Sequence, residues 1–182
     1  MVKILQTERL LLRPYRLEDA PRVTKIANDE RIAATTLAIP HPYHLEDAER
    51  WIKQHPAVVE NGEAYPYAIV KKAANELMGT VTIRVDQTHH NGELGYWIGT
   101  DYWGKGFTTE AVRRIMDFGF HELRLQRIFA PIMRKNTASA KVLQKAGLFY
   151  EGTLRNHILK WGQYEDLDYY GKLVKDNEPA ED

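Results

Sequence analysis

Five of the twelve glycines, Gly92, Gly95, Gly99, Gly104 and Gly106, fall within one fifteen-residue stretch. The order there is a β-rich run at 93–98, then Gly99-Thr-Asp-Tyr-Trp-Gly104-Lys105-Gly106-Phe107-Thr108-Thr109, then a helical pattern at 108–123. A glycine-rich turn that feeds a helix N-terminus is an anion trap. Its N–H groups have no helical partner, and the helix dipole adds partial positive charge at that end. Glycine accepts positive φ and lets a phosphate approach the backbone. Lys105 adds a mobile cation. The same glycines also suit a plain tight turn, but their place between a strand and a helix favours the anion site.

Two common phosphate-binding patterns do not fit. Gly99-x4-Gly104-Lys105 continues with Gly106, where a nucleotide-hydrolase loop needs a Ser or Thr hydroxyl for Mg²⁺. Gly104-x-Gly106-x-x-Thr109 lacks the third small residue of a dinucleotide fingerprint.

Composition narrows the field further. The 182 residues suggest one domain, spanning 1–174, with the polar acidic stretch 175–182 as a flexible tail. The 25 Lys and Arg balance 25 Asp and Glu, which argues against nucleic acid as a partner. There is no cysteine, so no disulfide, Cys-zinc site or covalent Cys intermediate is available. No 18-residue apolar run and no signal-peptide pattern occur, so the expectation is a cytoplasmic protein with no membrane partner. His41-x-x-His44 lacks helical i, i+4 spacing and a third ligand, so no metal is expected.

The elements that must position the glycine turn follow from pattern. Strands are expected at 8–13, 65–71, 77–85, 93–98 and 127–132, with a closing hairpin at 150–160 and 164–174 turning at Trp161-Gly162. Helices are expected at 17–28, 45–54, 108–123 and 136–146. The third starts with Thr108 or Thr109 as cap, and the last is capped by Asn136 and stopped by Gly147. Residues 29–43 read as irregular and 86–92 as a loop. Hairpins combined with one strand–helix–strand unit point to an α/β fold with a mixed sheet.

Residues 93–111, ELGYWIGTDYWGKGFTTEA, resemble the acetyl-CoA segment of the GCN5-related N-acetyltransferase (GNAT) superfamily, in particular its ribosomal-protein N-terminal (alanine/serine) acetyltransferase-like branch. Three further segments match in order: TERLLLRPYRLEDA (7–20), RIFAPIMRKNTASAKVLQKAGLFYEG (127–152) and GQYEDLDYYGKL (162–173). The resemblance implies a single α/β domain with a mixed, mostly antiparallel central sheet, flanked by helices and containing a splayed parallel strand pair at 93–99 and 127–132. It implies that acetyl-CoA is the co-substrate, its pyrophosphate held by backbone at Gly104, Lys105, Gly106, Phe107 and Thr108, with Thr109 beside them. Trp97, Ile98 and Gly99 would hydrogen-bond the pantetheine arm.

By the same resemblance Asn136 contacts CoA, in addition to its capping role. Ser139 is placed to protonate the leaving thiolate. Glu93, at the start of the splayed strand, is the leading general base. His89, His90, His41, His44, Glu165 and Asp166 are further candidates near the acceptor. Two positions depart from the family: Asp101 stands where Gln or Arg is common, and Leu143 stands where many members carry a catalytic Tyr. The implied reaction is direct acetyl transfer, in a ternary complex, to a primary amine of a protein or peptide N-terminus or of a small molecule. The chain would act as a monomer or homodimer. The alternative is a non-catalytic acyl-CoA-binding sensor module.

Overall fold

A computed structural model of the chain describes residues 3–177. Eight strands form one sheet: β1 (Leu5–Gln6), β2 (Leu10–Arg13), β3 (Ala64–Lys71), β4 (Glu76–Asp86), β5 (Asn91–Ile98), β6 (Arg127–Met133), β7 (Phe149–Lys160) and β8 (Gln163–Leu173). Their spatial order is β1-β2-β3-β4-β5-β6-β8-β7. Every neighbouring pair is antiparallel except β5 and β6. Five helices flank the sheet: α1 (Ala20–Ala27), α2 (Glu30–Ala33), α3 (Leu45–Glu60), α4 (Phe107–His121) and α5 (Thr137–Ala146). This is the expected α/β architecture.

The parallel pair arises because α4 carries the chain back from the end of β5 to the start of β6. Pairing covers only Asn91 with Arg127, Gly92 with Ile128 and Glu93 with Phe129. Beyond Glu93 the two strands run on to Ile98 and Met133 paired to β4 and β8 but not to each other. The sheet therefore opens into a V, as the family resemblance implied.

Each face of the sheet carries its own core. On one side, α4 and α5 bury Ile115, Val112 and Leu143 against Ile83, Leu94, Ile98 and Ile128. On the other, α1 and α3 bury Val23 and Ile52 against Ala68, Val70 and Leu77, with Trp97 packed at the margin. Alternation along β5 follows: Leu94, Tyr96 and Ile98 serve the first core, while Glu93, Gly95 and Trp97 face the second.

Several boundaries differ from the sequence expectation. The strand expected at 8–13 is β2 and begins at Leu10, and the short β1 precedes it unforeseen, because residues 7–9 form a turn held by the Thr7 N–H donating to the Leu10 carbonyl at 3.0 Å. Residues 17–28 divide into a 3-10 turn, Leu17–Asp19, and α1, which Pro21 opens where a missing N–H costs nothing. Residues 29–43 include the short α2, with Asp29 accepting the Arg31 N–H at 3.0 Å. α3 runs past 54 to Glu60 with Pro56 inside it, since its inner face has the second core to bury. β4 extends to Asp86, so the loop before β5 shrinks to 87–90. The closing hairpin turns at Trp161 and Gly162, with φ of 50° and 78°. Val174–Asn177 forms a further 3-10 turn, with Asp176 accepting the Leu173 N–H at 2.8 Å. The expected flexible tail thus begins folded at 175–177, and 178–182 lies outside the described residues.

His55 sits on α3 among the edges of Tyr15 and Trp51, at 5.3 and 4.4 Å between centroids. Neither ring nitrogen has a hydrogen-bond partner among the described residues. Burial pushes the imidazole down to about 4. The unfolded chain titrates near the ordinary value of about 6.5. The unfolded state therefore takes up a proton that the folded state resists. Stability is full above about pH 6.5 and declines as pH falls from there towards 4. His55→Phe is expected to flatten that decline, seen as urea midpoints that differ less between pH 7 and pH 4.5 than in the wild type. An unchanged difference would contradict the assignment.

Candidate active site

The glycine turn lies at the open end of the V. Gly104 and Gly106 adopt φ of 73° and 78°, the left-handed region that an L side chain enters only with strain. Gly106 is the N-cap of α4 and supplies no side-chain cap. The expectation that Thr108 or Thr109 caps this helix is corrected here: both lie inside its first turn. The backbone N–H groups of Gly104, Lys105, Gly106, Phe107, Thr108 and Thr109 donate to no acceptor among the described residues. Six open donors at the positive end of a fifteen-residue helix make a strong site for an anion.

Lys105 does not reach into this site as a free cation. Its ammonium donates to the Asp101 carbonyl at 2.8 Å and closes the 3-10 turn Thr100–Tyr102. Asp101 is exposed. Trp103 lies across the strand end, its indole N–H donating to the Ile98 carbonyl at 2.9 Å.

The strand edge that faces the opening follows from the ladder. The Gly99 N–H donates to the Met78 carbonyl on β4 at 2.8 Å. Alternation then directs the backbone groups of Trp97 towards β4 and those of Leu94, Tyr96 and Ile98 towards the V. Of Trp97, Ile98 and Gly99, Ile98 has its N–H on the open side.

Across the V stands α5. Asn136 caps it as expected, its side-chain carbonyl accepting the Ser139 N–H at 3.1 Å. Its amide also donates to the Thr35 carbonyl at 3.4 Å, linking the helix to the segment after α2. Ser139 is buried, and its Oγ lies 2.6 Å from the Tyr96 hydroxyl. Burial raises the Tyr96 pKa well above the ordinary tyrosine range, against the opposing hydrogen bond from Ser139. The phenol therefore stays protonated at neutral pH and can donate to Ser139. Tyr96 is not among the expected site residues. Its alternation with Leu94 and Ile98 in sequence puts it on the right face, but nothing local points to a serine 43 residues away. Leu143, the position of the missing family tyrosine, is fully buried in the core.

Glu93 marks the apex of the V as the last residue paired to β6. Its carboxylate accepts from Arg84 at 2.8 Å, and Arg84 lies over Gly95 on the same face. Ser139 and Glu93 do not meet. Tyr96 and Glu93 are three residues apart on one strand, about 10 Å, with side chains on opposite faces. The two expected proton-transfer groups therefore stand on opposite sides of the sheet.

The other candidates stand apart from the Tyr96–Ser139 pair in these surroundings. His44 caps α3, with Asp47 accepting its N–H at 3.0 Å. Glu165 is ion-paired with Lys135, and Asp166 accepts the Asn156 N–H at 2.8 Å. His89 and His90 lie in the 87–90 turn, where the His90 carbonyl accepts the Gln126 N–H at 2.8 Å. Among the described residues no group of three His, Asp or Glu side chains could hold a metal ion. No described helix is long and apolar enough to cross a membrane.

A mostly antiparallel sheet opened at one parallel pair, with a glycine-rich anion loop at the opening, defines a class of acyl-group transferases. The family model for "Acetyltransferase (GNAT) domain" matches residues 9–148, and the chain belongs to that family. It is an N-acetyltransferase by family, and members of that family move an acetyl group to an amine. One similar sequence is an uncharacterized N-acetyltransferase, p20, of Bacillus licheniformis, 32% identical over 176 residues, covering 96% of this chain and 98% of that one. A ribosomal-protein-S5-alanine acetyltransferase structure from Vibrio fischeri superimposes with a TM-score of 0.85 at 25% identity, covering 98% and 100% of the two chains. RimJ of Mycobacterium smegmatis, solved with a CoA disulfide, shares the fold at a TM-score of 0.86 and 22% identity, over 97% and 88% of the chains.

Proposed function

We propose that this chain is an acetyl-CoA-dependent N-acetyltransferase that acts on a primary amine by direct transfer in a ternary complex. The observation that carries the proposal is the row of six open N–H donors, Gly104 to Thr109, at the mouth of the V. A pyrophosphate bound there would leave the pantetheine arm running between β5 and β6, with the Ile98 N–H as a partner. The thioester would then reach the level of Tyr96 and Ser139, and the amine would approach from the Glu93 face.

The neutral amine nitrogen attacks the thioester carbonyl carbon, the C–S bond breaks, nitrogen gives up one proton, and sulfur gains one. The Ser139 hydroxyl donates towards sulfur as negative charge develops there, while Tyr96 donates to the Ser139 oxygen. Glu93 accepts the nitrogen's proton through water, since about 10 Å of strand separates it from the Tyr96 pair. With no cysteine in the chain, no cysteinyl acetyl-enzyme forms.

The acceptor is an amine of a peptide or protein N-terminus or a small amine. An α-amine, with an ordinary pKa of about 8, offers far more neutral nitrogen at about pH 7.5 than an alkyl amine near 10.4. Release of free CoA thiol, followed with acetyl-CoA and a panel of N-terminal peptides and small amines, tests the proposal. Turnover is expected with at least one acceptor. Tight CoA binding with no turnover on any amine would instead support the acyl-CoA sensor. Glu93→Gln is expected to lower kcat/KM by about 10²-fold while CoA affinity is unchanged. An unaltered kcat/KM would remove Glu93 from the mechanism.

A further inference from the structure

The turn at Thr7–Arg9 sits behind the anion loop and grips it. The Arg9 guanidinium donates to the Lys105 carbonyl at 3.0 Å. It also pairs with Glu110 in the first turn of α4, at 2.7 Å from Nε and 2.6 Å from the second terminal nitrogen. Its plane lies over the Phe107 ring, 4.4 Å from the centroid. The Arg9 N–H and the Thr7 hydroxyl both reach Glu110, at 3.0 and 2.5 Å. The turn is itself fixed from the end of β3: the Lys72 N–H donates to the Arg9 carbonyl at 3.0 Å, and the Lys72 ammonium to the Thr7 carbonyl at 2.6 Å.

Two physical consequences follow. In a trans peptide the carbonyl and the following N–H point in opposite directions. Fixing the Lys105 carbonyl towards Arg9 therefore aims the Gly106 N–H away from Arg9, at the front of the loop. Gly106, in the left-handed region on one side of this peptide, has no Cβ to restrict its φ, so the peptide can flip unless something holds it. Second, Glu110 places a carboxylate at the same helix end that must accept a phosphate. Arg9 neutralises it there, so the open N–H donors keep their attraction for an anion.

Resting on the acetyl-CoA reading above, we propose that Arg9 is a positioning residue for the donor's pyrophosphate: it sets the Lys105–Gly106 peptide of the loop with its N–H facing the bound phosphate. Arg9 acts from behind the loop and does not itself touch the donor. Its fork is essential, because one group must hold Glu110 and the Lys105 carbonyl together.

Three donors separate this role from others: acetyl-CoA, its 3′-dephospho form and S-acetylpantetheine, which lacks the pyrophosphate. Arg9→Gln is expected to raise KM about tenfold for the first two. With S-acetylpantetheine the same variant should show no comparable loss. Arg9→Lys should behave like Arg9→Gln, since a single ammonium cannot span both acceptors. It also carries the test if Arg9→Gln fails to fold. Equal loss with all three donors, loss with acetyl-CoA alone, or full recovery in Arg9→Lys would each overturn the proposal. These outcomes would mean general damage, a 3′-phosphate contact, or simple charge attraction. A wild-type protein inactive with every donor would instead remove the acetyl-CoA reading on which this one rests.

Discussion

Gly79→Ala is expected to lower the melting temperature by roughly 6–12 °C and to weaken acetyl-CoA binding at the same time. Gly79 lies on β4 opposite Ile98. A Cβ there would sit 2.2 Å from the Trp97 carbonyl oxygen and 2.7 Å from the Ile98 Cα. Both are backbone atoms, so no side-chain rotation relieves the contact and β5 itself must move. Overpacking of this kind costs about 3 kcal/mol, the upper part of its usual range. For a chain of this size each kcal/mol shifts the melting point by roughly 2–4 °C. The displaced segment carries the Ile98 N–H and the Trp103 anchor at the Ile98 carbonyl, so the damage falls on the strand that borders the V. Calorimetry with and without CoA checks both effects. A melting point within a degree or two of wild type would show that the strands tolerate the shift.

Ser139→Ala is expected to have the largest effect on turnover, lowering kcat by about 10²- to 10⁴-fold. The hydroxyl is buried, held on the first turn of α5 by the Asn136 cap and met by Tyr96 at 2.6 Å. In the proposed mechanism, removing it takes away the donor to the developing thiolate and leaves the Tyr96 phenol only the longer contact to the residue 139 carbonyl, 3.4 Å in the wild type. Donor affinity should change little, because the proposed phosphate contacts are backbone groups at 104–109. Tyr96→Phe should lose less, about tenfold in kcat, since Ser139 keeps its own proton to give. Single-turnover rates with acetyl-CoA, measured beside CoA dissociation constants, distinguish the two variants. Equal rates in Ser139→Ala and wild type would place the proton donor elsewhere.

The sequence reveals those parts of this site that depend on neighbours along the chain. The glycine turn, the stripe of α4, the Asn136 cap and the Gly147 stop, at φ 92°, each follow from short-range rules. The parallel pair of β5 and β6 follows from the helix between them. What escapes such rules depends on register and on distant pairing. The Tyr96–Ser139 contact spans 43 residues and Arg9–Glu110 spans 101. Arg84 reaches Glu93 only because β4 and β5 pair in the register that sets them opposite. Gly79 looks unremarkable in sequence, and its need appears only when the Trp97 carbonyl is seen against it. The side-chain cap expected at Thr108 or Thr109 is absent because the helix starts one residue earlier, at Phe107, with Gly106 as its N-cap; the N–H groups of the first turn are thereby left open to an anion.

In the proposed function, backbone donors at the mouth of the V hold the pyrophosphate of acetyl-CoA. Titrating the ¹⁵N-labelled protein with CoA and following its amide resonances tests it most directly. The largest shifts are expected at Gly104 to Thr109, with a second group at Tyr96 and Ile98 along the open strand edge. Unmoved amides at Gly104 to Thr109, with saturable shifts gathered elsewhere, for instance around the hollow on α3 lined by Glu46, Arg50 and Lys53, would contradict it.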